Sequence, residues 1–261
     1  MGTVLARLTG VSAGYGDRAV LHDITLDVHT GRRLVVLGPS GAGKSTLLRL
    51  LTRELAPLDG TVEFTDGPAP REGVVRQDPL LFEWLTVAEN VDFGVRLVAN
   101  HDVDKARPAE VLDRLGLTDV ADSYPDSISG GQAQRASLAR ALAISPSLLL
   151  LDEPFSALDP ATRADLQHWL LDVTSDHELT TVLVTHSLDE ALVLADDIVL
   201  IDRYGRIAHT WRNDAPAADE TSALIHPLRA ALRAAYESGP GLEEGDEEFS
   251  GLAAAGGGRR G

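Results

Sequence analysis

One glycine-rich motif constrains the fold of this chain more than any other feature of its sequence. Residues 38–45 read GPSGAGKS and match G-x-x-x-x-G-K-[ST], after an apolar run and before helical apolar spacing over 44–55. In such a loop, backbone N–H groups converge on a β-phosphate at a helix N-terminus. The motif therefore predicts a nucleotide site, with Lys44 on the β- and γ-phosphates and the Ser45 hydroxyl on Mg²⁺. The residues expected to bind the nucleotide are Gly38, Pro39, Ser40, Gly41, Ala42, Gly43, Lys44, Ser45 and Thr46.

The apolar pattern predicts an α/β fold around this loop. Short, nearly continuous apolar runs are typical of parallel strands that are buried on both faces. Such runs lie at 34–37, 148–151, 182–184 and 198–201. Helical spacing between them, at 132–144 and 188–195, indicates right-handed βαβ units. We expect a P-loop nucleotide-binding core with a mostly parallel sheet.

Two further regions differ from this core. The first 33 residues contain short strands, at 5–11, 19–21 and 24–28, that glycines punctuate, which indicates an N-terminal antiparallel β layer. Residues 78 to about 128 are rich in helical spacing and indicate an inserted helical subdomain. The expected organisation is one nucleotide-binding domain at 3–236, with the helical subdomain at about 78–135, and an acidic, Gly/Ala-rich, disordered tail at 237–261.

Near the C-terminus the sequence predicts a hairpin and a helix. Residues 202–206 separate two strand-like runs and are typical of a hairpin turn. Leu224, Leu228 and Leu232 follow each other at spacings of four residues. This spacing predicts one amphipathic helix over 221–236 that docks on its own domain.

Composition excludes several classes of site. The chain has no cysteine, which excludes thiol nucleophiles and Cys-ligated zinc. Asp and Glu total 40 and Lys and Arg 23, so the net charge of −17 argues against capture of nucleic acid by the whole surface. The N-terminus lacks the apolar region of a signal peptide, and no apolar run approaches the roughly 20 residues of a membrane span. We expect a soluble, cytoplasmic chain.

Two acidic residues follow a strongly apolar strand. Asp152 and Glu153 come directly after Leu148–Leu151. Ligands of open parallel sheets bind at the carboxyl ends of the strands, where these two side chains are expected. Asp152 can hold Mg²⁺, and Glu153 can polarise the attacking water as a general base.

A second glycine-rich helix start lies at Ser129, Gly130, Gly131 and Gln132. A polar, glycine-rich start of this kind is an anion-binding geometry. It cannot share the phosphate site of the Lys44 loop without duplicating that loop. The sequence therefore predicts that residues 129–132 contact a nucleotide held by a second subunit.

In this order, the three motifs resemble the ATP-binding cassette (ABC) family over about residues 3–212. The resemblance implies that the nucleotide is ATP, and it adds four residues. Tyr15 matches the aromatic residue that stacks on adenine, and Gln77 matches the glutamine near Mg²⁺ and the attacking water. Asp159, in the segment 156–159, matches a loop that crosses the dimer interface, and His186 matches the histidine that hydrogen-bonds the γ-phosphate. The implied Mg²⁺ ligands are Ser45, Gln77 and Asp152, and the implied catalytic residues are Glu153, His186, Gln77 and Lys44.

The sequence departs from the family pattern at four positions, none of which removes a catalytic group. Ile128 stands in place of leucine before Ser129, and Arg76 replaces an apolar residue before Gln77. Ser187 follows His186 where importers often carry aspartate. Residues 77–87 are similar to the ATPase subunits of nitrate, sulfonate and taurine importers, except that Glu83 stands where those subunits have proline before Trp84.

The resemblance implies an ATP-hydrolysing subunit of a membrane importer, acting at the cytoplasmic face of the membrane. Two copies would sandwich ATP, and residues 77–87 would line a groove for a helix of a separate permease, which works with a solute-binding protein. The expected solute is of the sulfonate, nitrate or taurine type. Two alternatives remain open at this point: a soluble mechanical ABC ATPase in DNA repair or translation, and an exporter subunit.

Overall fold

The computed structural model of the chain describes residues 3–16, 18–64, 70–156, 158–174 and 179–238. Its strands are β1 (Val4–Tyr15), β2 (Arg18–His29), β3 (Arg33–Leu37), β4 (Asp59–Phe64), β5 (Glu72–Val75), β6 (Leu148–Asp152), β7 (Thr180–Thr185), β8 (Asp197–Ile201) and β9 (Ile207–Arg212). Its α-helices are α1 (Lys44–Leu51), α2 (Val87–Asp92), α3 (Arg107–Arg114), α4 (Gly130–Ala143), α5 (Pro160–Thr174), α6 (Leu188–Leu194), α7 (Glu220–Ala223) and α8 (Arg229–Ser238). Short 3₁₀ helices lie at Val98–Asn100, Thr118–Val120 and Pro125–Ser127.

The strands form two sheets. The larger has six strands in the order β5-β6-β7-β3-β8-β9, with parallel pairing throughout except between β8 and β9. The smaller is antiparallel and has the order β2-β1-β4. The helices α2, α3 and α4 lie between β5 and β6 along the chain. The predicted α/β fold, with a mostly parallel sheet and an N-terminal antiparallel layer, is confirmed.

Strands β3, β6, β7 and β8 of the larger sheet are buried on both faces, which explains their continuous apolar runs. In β3, Leu34 and Val36 pack in a cluster with α1 and the antiparallel sheet. Val35 and Leu37 point to the opposite cluster, which contains residues of α4 and α6. Because alternate residues of 34–37 fill two different cores, all four are apolar.

The structure corrects two boundaries. The predicted helix over 44–55 ends at Leu51, because Arg53 adopts a left-handed backbone with φ of 58°. The two short strands predicted at 19–21 and 24–28 belong to one strand, β2, and Asp23 between them has φ of 53°. Register shifts in the β1–β2 ladder accommodate this irregularity.

The single helix predicted over 221–236 is wrong. Two helices, α7 and α8, replace it, and Pro227 lies between them. Proline disfavours the helical backbone for the residue before it and lacks an N–H for the helix ladder. As a result Leu224 is 58% exposed, whereas Leu232 on α8 is 1% exposed and packs in the core. The predicted docking on the chain's own domain therefore comes from α8.

None of the described helices is long and apolar enough to span a lipid bilayer. The predicted tail at 237–261 lies almost wholly outside the described residues, which end at Ser238.

The interruption between α7 and α8 predicts that Leu224 and Leu232, although they share one sequence spacing, contribute differently to the free energy of unfolding. Leu232→Ala is expected to lower the free energy of unfolding by about 2–4 kcal/mol, because it leaves a cavity in the core. Leu224→Ala is the matched control and is expected to cost less than about 0.5 kcal/mol. Urea unfolding of the purified chain measures both, and equal losses would contradict the docking of α8.

Candidate nucleotide site

The phosphate loop joins β3 to α1 and is shaped by its glycines. Gly41 and Gly43 have φ of 79° and 97°, a left-handed backbone that glycine adopts without strain. A Cβ at Gly43 would lie 2.6 Å from Leu21 Cδ2 of β2. Lys44 opens α1 immediately afterwards. The loop can therefore pass close under the antiparallel sheet only with glycine at 43.

The Lys44 side chain is buried at the centre of this loop. It is 6% exposed, and its Nζ donates to the carbonyl oxygens of Gly38 at 2.7 Å and Pro39 at 3.1 Å. Burial lowers the pKa of the Lys44 ammonium, and the carboxylates of Glu153 and Asp152 oppose that effect. A compact cation in this position can bind phosphate oxygens that enter the loop.

Asp152 and Glu153 have different environments although they are neighbours. Asp152 ends β6 and is buried, which raises the pKa of its carboxyl, and a hydrogen bond with Ser45 opposes that effect. Glu153 lies beyond the strand end in a left-handed backbone with φ of 45°, and its N–H donates to Val184 O at 3.0 Å. Such a backbone costs about 1–3 kcal/mol in a non-glycine residue and is typical of functional sites.

The carboxylate of Glu153 lies between a lysine and a histidine. Its Oε2 is 3.3 Å from His186 Nδ1, and its Oε1 is 3.8 Å from Lys44 Nζ. The hydrogen bond with His186 lowers the pKa of Glu153, and the same bond raises the pKa of His186. The carboxylate is therefore ionised at neutral pH and can accept a hydrogen bond from water.

A cavity of about 360 Å³ opens above the loop and brings most of the predicted site residues together. It is lined by Tyr15, Val20, Ser40, Gly41, Gly43, Lys44, Ser45, Thr46, Gln77, Asp152 and Glu153. His186 reaches this group through Glu153. Gly38, Pro39 and Ala42 form the loop but do not line the cavity. Oxygen donors from a hydroxyl, an amide and a carboxylate meet here, and they are the ligands that Mg²⁺ prefers.

The ring of Tyr15 stands at the rim of this cavity, about half exposed. Its hydroxyl accepts a hydrogen bond of 2.5 Å from Arg49, whose guanidinium carbon is 5.5 Å from the ring centroid. An exposed ring held at its hydroxyl end suits stacking on a base.

Ser129 to Gln132 do not line the cavity of their own chain. They form the start of α4, where Ser129 Oγ accepts from Gln132 N–H at 3.2 Å and Gln132 Oε1 accepts from Ser129 N–H at 2.8 Å. Asp159 also caps a helix, since it accepts from the N–H groups of Ala161 and Thr162, both at 3.1 Å. Ala157 of the same loop lies outside the described residues. Two of the predicted groups therefore lie apart from the Lys44 cavity within one chain.

The family is decided by sequence comparison. A family model described as ABC transporter matches residues 21–156. The chain belongs to the ABC transporter family. The predicted family and its ATPase class are confirmed, and with them nucleotide binding.

Named relatives and solved structures agree with this membership. The chain is 43% identical over 229 residues to an aliphatic sulfonates import ATP-binding protein, SsuB 2, of Burkholderia lata, covering 85% of this chain and 83% of the relative. It is 41% identical to a sulfate/thiosulfate import ATP-binding protein, CysA, of Synechococcus elongatus. That alignment covers 85% of this chain and 68% of the relative. The dimeric post-hydrolysis structure of the ATP-binding cassette MJ0796, bound to ADP and Pi, matches with a TM-score of 0.71 at 27% identity, covering 81% of this chain and all of that one.

Three of the four departures from the family pattern have local explanations in this cassette. Arg76 reaches Glu54, with both carboxylate oxygens at 2.5 Å from one guanidinium nitrogen. The carbonyl of Arg76 accepts a long hydrogen bond, 3.4 Å, from Gln134 of α4. Ser187 caps α6 by accepting from Glu190 N–H at 3.3 Å, and Ile128 is partly buried against the core.

Three residues of the site were missed by the sequence analysis. Val20 lines the cavity, Arg49 holds Tyr15, and Glu190 supports the loop of His186. Thr185 Oγ1 donates to the buried Glu190 Oε2 at 2.6 Å and accepts from Ser187 N–H at 3.0 Å. Burial raises the pKa of Glu190. None of these contacts has a local sequence signal, because each joins residues of different elements or across a turn.

The pair of Glu153 and His186 predicts a pH-dependent contribution to stability. The folded pKa of His186 lies above its ordinary 6.5, so its contribution is full below pH 6.5 and is lost as pH rises through the raised value. The folded pKa of Glu153 lies below its ordinary 4.5, so its contribution is present above pH 4.5 and is lost as pH falls through the lowered value. Both contributions are present together between about pH 4.5 and 6.5.

We therefore expect His186→Ala to destabilise the chain most in that window, by less than about 1 kcal/mol because His186 is half exposed. The loss should shrink towards pH 8.5. Urea unfolding at a series of pH values measures it, with His209→Ala as the control. A loss that grows with rising pH would contradict the pairing.

Proposed function

We propose that this chain is the ATP-hydrolysing subunit of a membrane importer, acting at the cytoplasmic face of the membrane. The single observation that carries the catalytic part is the position of the Glu153 carboxylate between Lys44 and His186, at the mouth of the phosphate loop. The import part rests on the relatives, which are named as import ATP-binding proteins. Neither a mechanical ATPase of DNA repair or translation nor an exporter subunit is favoured by these names.

Hydrolysis uses the chain's own side chains as follows. The backbone N–H groups of the loop and the Lys44 ammonium bind the β- and γ-phosphates of ATP, and Tyr15 stacks on the adenine. Glu153 accepts a proton from the attacking water, whose oxygen bonds to the γ-phosphorus as the bond to the β–γ bridging oxygen breaks. Lys44 and His186 stabilise the charge on the transferring group, and ADP and phosphate leave.

Mg²⁺ fits this donor set. Ser45, Gln77 and Asp152 would hold it, and it would neutralise charge between the β- and γ-phosphates. The described residues contain no cluster of three or more His, Cys, Asp or Glu side chains that could hold a metal alone. Mg²⁺ typically binds to only a few protein ligands and completes its coordination with substrate phosphates.

The second half of the ATP site comes from a second copy. Residues 129–132 lie at the start of the 14-residue helix α4, where the first N–H groups of a helix have no partner within it. Two copies packed head to tail would bring these groups of one copy to the γ-phosphate held by Lys44 of the other, with Asp159 at the interface. Closure then needs ATP, because ATP contacts both copies only in the closed state.

The dimer is tested with Glu153→Gln. Because the amide cannot accept the proton of water, ATP is expected to persist and to hold two copies together. Sedimentation or gel filtration with ATP and Mg²⁺ should detect a dimer that ADP does not produce. Lys44→Ala in the same background is the control, because it lacks the ammonium that binds the phosphates. If Glu153→Gln remains monomeric with ATP, the proposed head-to-tail dimer is contradicted.

The permease contact is proposed at a groove beside Gln77. A cavity of about 640 Å³ is lined by Pro79, Leu80, Leu81, Glu83, Pro125, Asp126 and Ala133. Trp84 at its edge is 73% exposed, and its ring centroid is 5.3 Å from that of Phe82. Arg140 of α4 donates to the carbonyls of Pro79 and Leu80, which fixes the wall. A preformed groove with exposed apolar residues suits an amphipathic helix of a permease.

A membrane pull-down tests this partner. Tagged Glu153→Gln, expressed in the native host and extracted in mild detergent with ATP, should co-purify a multi-span permease. Adding Trp84→Glu should abolish this recovery, whereas Ile225→Glu, at an apolar residue that is 87% exposed elsewhere, should not.

Recovery of ribosomal or DNA-repair proteins alone would overturn the importer. The solute is proposed to be of the sulfonate type, and the solute-binding protein that accompanies the recovered permease can be screened with aliphatic sulfonates, nitrate and taurine.

A further inference from the structure

A second cavity adjoins the phosphate loop and is lined by basic residues. It measures about 460 Å³, and its lining residues are Arg18, Ala19, Val20, His22, Gly41, Arg203, Tyr204 and Arg206. We name it the basic pocket. It shares Val20 and Gly41 with the nucleotide cavity, so the two are neighbours on one surface. None of the proposed catalytic roles uses its arginines.

Two arginines of the basic pocket have no acidic partner among the described residues. None of its lining residues carries a carboxylate, and Arg18 and Arg206 form no ion pair with the described residues. Other arginines of this acidic chain do pair with carboxylates, as Arg7 does with Asp27 at 2.7 Å. A chain with 40 acidic and 23 basic residues has carboxylates in excess. Arg18 and Arg206, which line one concavity and form no ion pair with the described residues, therefore point to an anionic partner.

The basic pocket is preformed, because the hairpin that carries two of its arginines is clamped to β2. Gly205 O accepts from His22 N–H at 2.9 Å, and a Cβ at Gly205 would lie 1.7 Å from Val20 O. The nearby Asp202 carboxylate turns inward and accepts from the N–H groups of Tyr204 and Arg206 at 2.9 and 3.0 Å. The Asp202 side chain thus stabilises the backbone of the turn by accepting hydrogen bonds from its N–H groups.

Acidic side chains lie close in sequence to residues 129–132, the glycine-rich start of α4. Asp119, Asp122 and Asp126 are exposed, form no ion pair with the described residues, and all lie within the ten residues before Ser129. We name residues 119–126 the acidic segment. Asp126 is three residues from Ser129, which limits the separation of their Cα atoms to about 11 Å. A partner that receives Ser129 at the Lys44 cavity therefore also receives Asp126, the C-terminal end of the acidic segment, nearby.

We propose that the acidic segment of a second copy docks on the basic pocket when the ATP dimer closes. The inference rests on the proposed function, since it needs the head-to-tail dimer. Two such contacts form per dimer, one on each side. They fix the register of the two copies and make closure sensitive to salt, because exposed ion pairs act within about one Debye length.

A charge-swap experiment on the Glu153→Gln background tests this docking. One variant carries Arg18→Glu and Arg206→Glu, and the other carries Asp122→Arg and Asp126→Arg. Each alone places like charges at both contacts, and each is expected to raise the apparent dissociation constant of the ATP dimer about tenfold or more. A heterodimer of the two restores opposite charges at both contacts, because the reversed pocket meets the reversed segment and the unchanged pocket meets the unchanged segment.

Mixing the two variants should therefore recover dimerisation to near the level of the parent. Sedimentation velocity at about 50 and 500 mM NaCl, with the variants tagged differently, measures the heterodimer and its loss at high salt. The control is Arg212→Glu with Arg233→Glu, which changes the net charge equally at arginines paired within their own elements or close by. It should dimerise like the parent.

Several outcomes would overturn the docking. One is a mixture that dimerises no better than each variant alone, and another is a control that is weakened as much as the pocket variant. A third is a pocket variant whose monomer, folded by circular dichroism, has lost ATP affinity, since the pocket then serves the nucleotide. If the parent Glu153→Gln does not dimerise with ATP at either salt concentration, the proposed function itself fails, which is a distinct result.

Discussion

The buried ammonium of Lys44 is the charge on which the rest of the site depends. Taking an ammonium out of water is costly unless hydrogen bonds and opposite charge replace its hydration. The carbonyls of Gly38 and Pro39 and the carboxylates at the end of β6 supply both. These partners belong to the loop after β3 and to β6, with β7 between the two strands in the sheet. The order of β6, β7 and β3 in the sheet thereby brings together the partners that the buried ammonium needs.

Glu153 extends this dependence to the histidine loop. Its left-handed backbone is held by the hydrogen bond to Val184 O, and its carboxylate is oriented by His186 and Lys44. A strained residue persists only where its surroundings over-determine it. Glu190 stabilises this arrangement further, because it accepts a hydrogen bond from Thr185 and so holds the turn that carries His186. The geometry of the candidate base is therefore a property of β6, β7 and α6 together.

The sequence predicts most of this fold because its signals are local and strong. A strand buried on both faces must be continuously apolar, and a phosphate loop needs glycine where the backbone is left-handed, as at Gly43. The leucine spacing predicts one C-terminal helix, but Pro227 interrupts the helical backbone and two helices form. Val20, Arg49 and Glu190 were not predicted, since their roles arise from contacts between residues that no single motif contains. Ser129 and Asp159 are predicted from motifs and lie apart from the Lys44 cavity of their own chain, because the roles predicted for them involve a second copy.

Net charge also limits how two copies of this chain can meet. Each copy carries −17, so close approach is opposed by long-range repulsion that salt only partly screens. ATP adds further negative charge at the interface. A closed dimer therefore needs positive charge placed locally, within a few ångströms of acidic groups on the other copy. In the proposed dimer Lys44 would meet that need for the phosphates, and the arginines of the basic pocket line a neighbouring cavity whose lining contains no carboxylate. An acidic net charge is therefore compatible with a basic docking surface. The net charge sets the long-range repulsion between two copies, whereas the positions of individual charges decide which surfaces can associate.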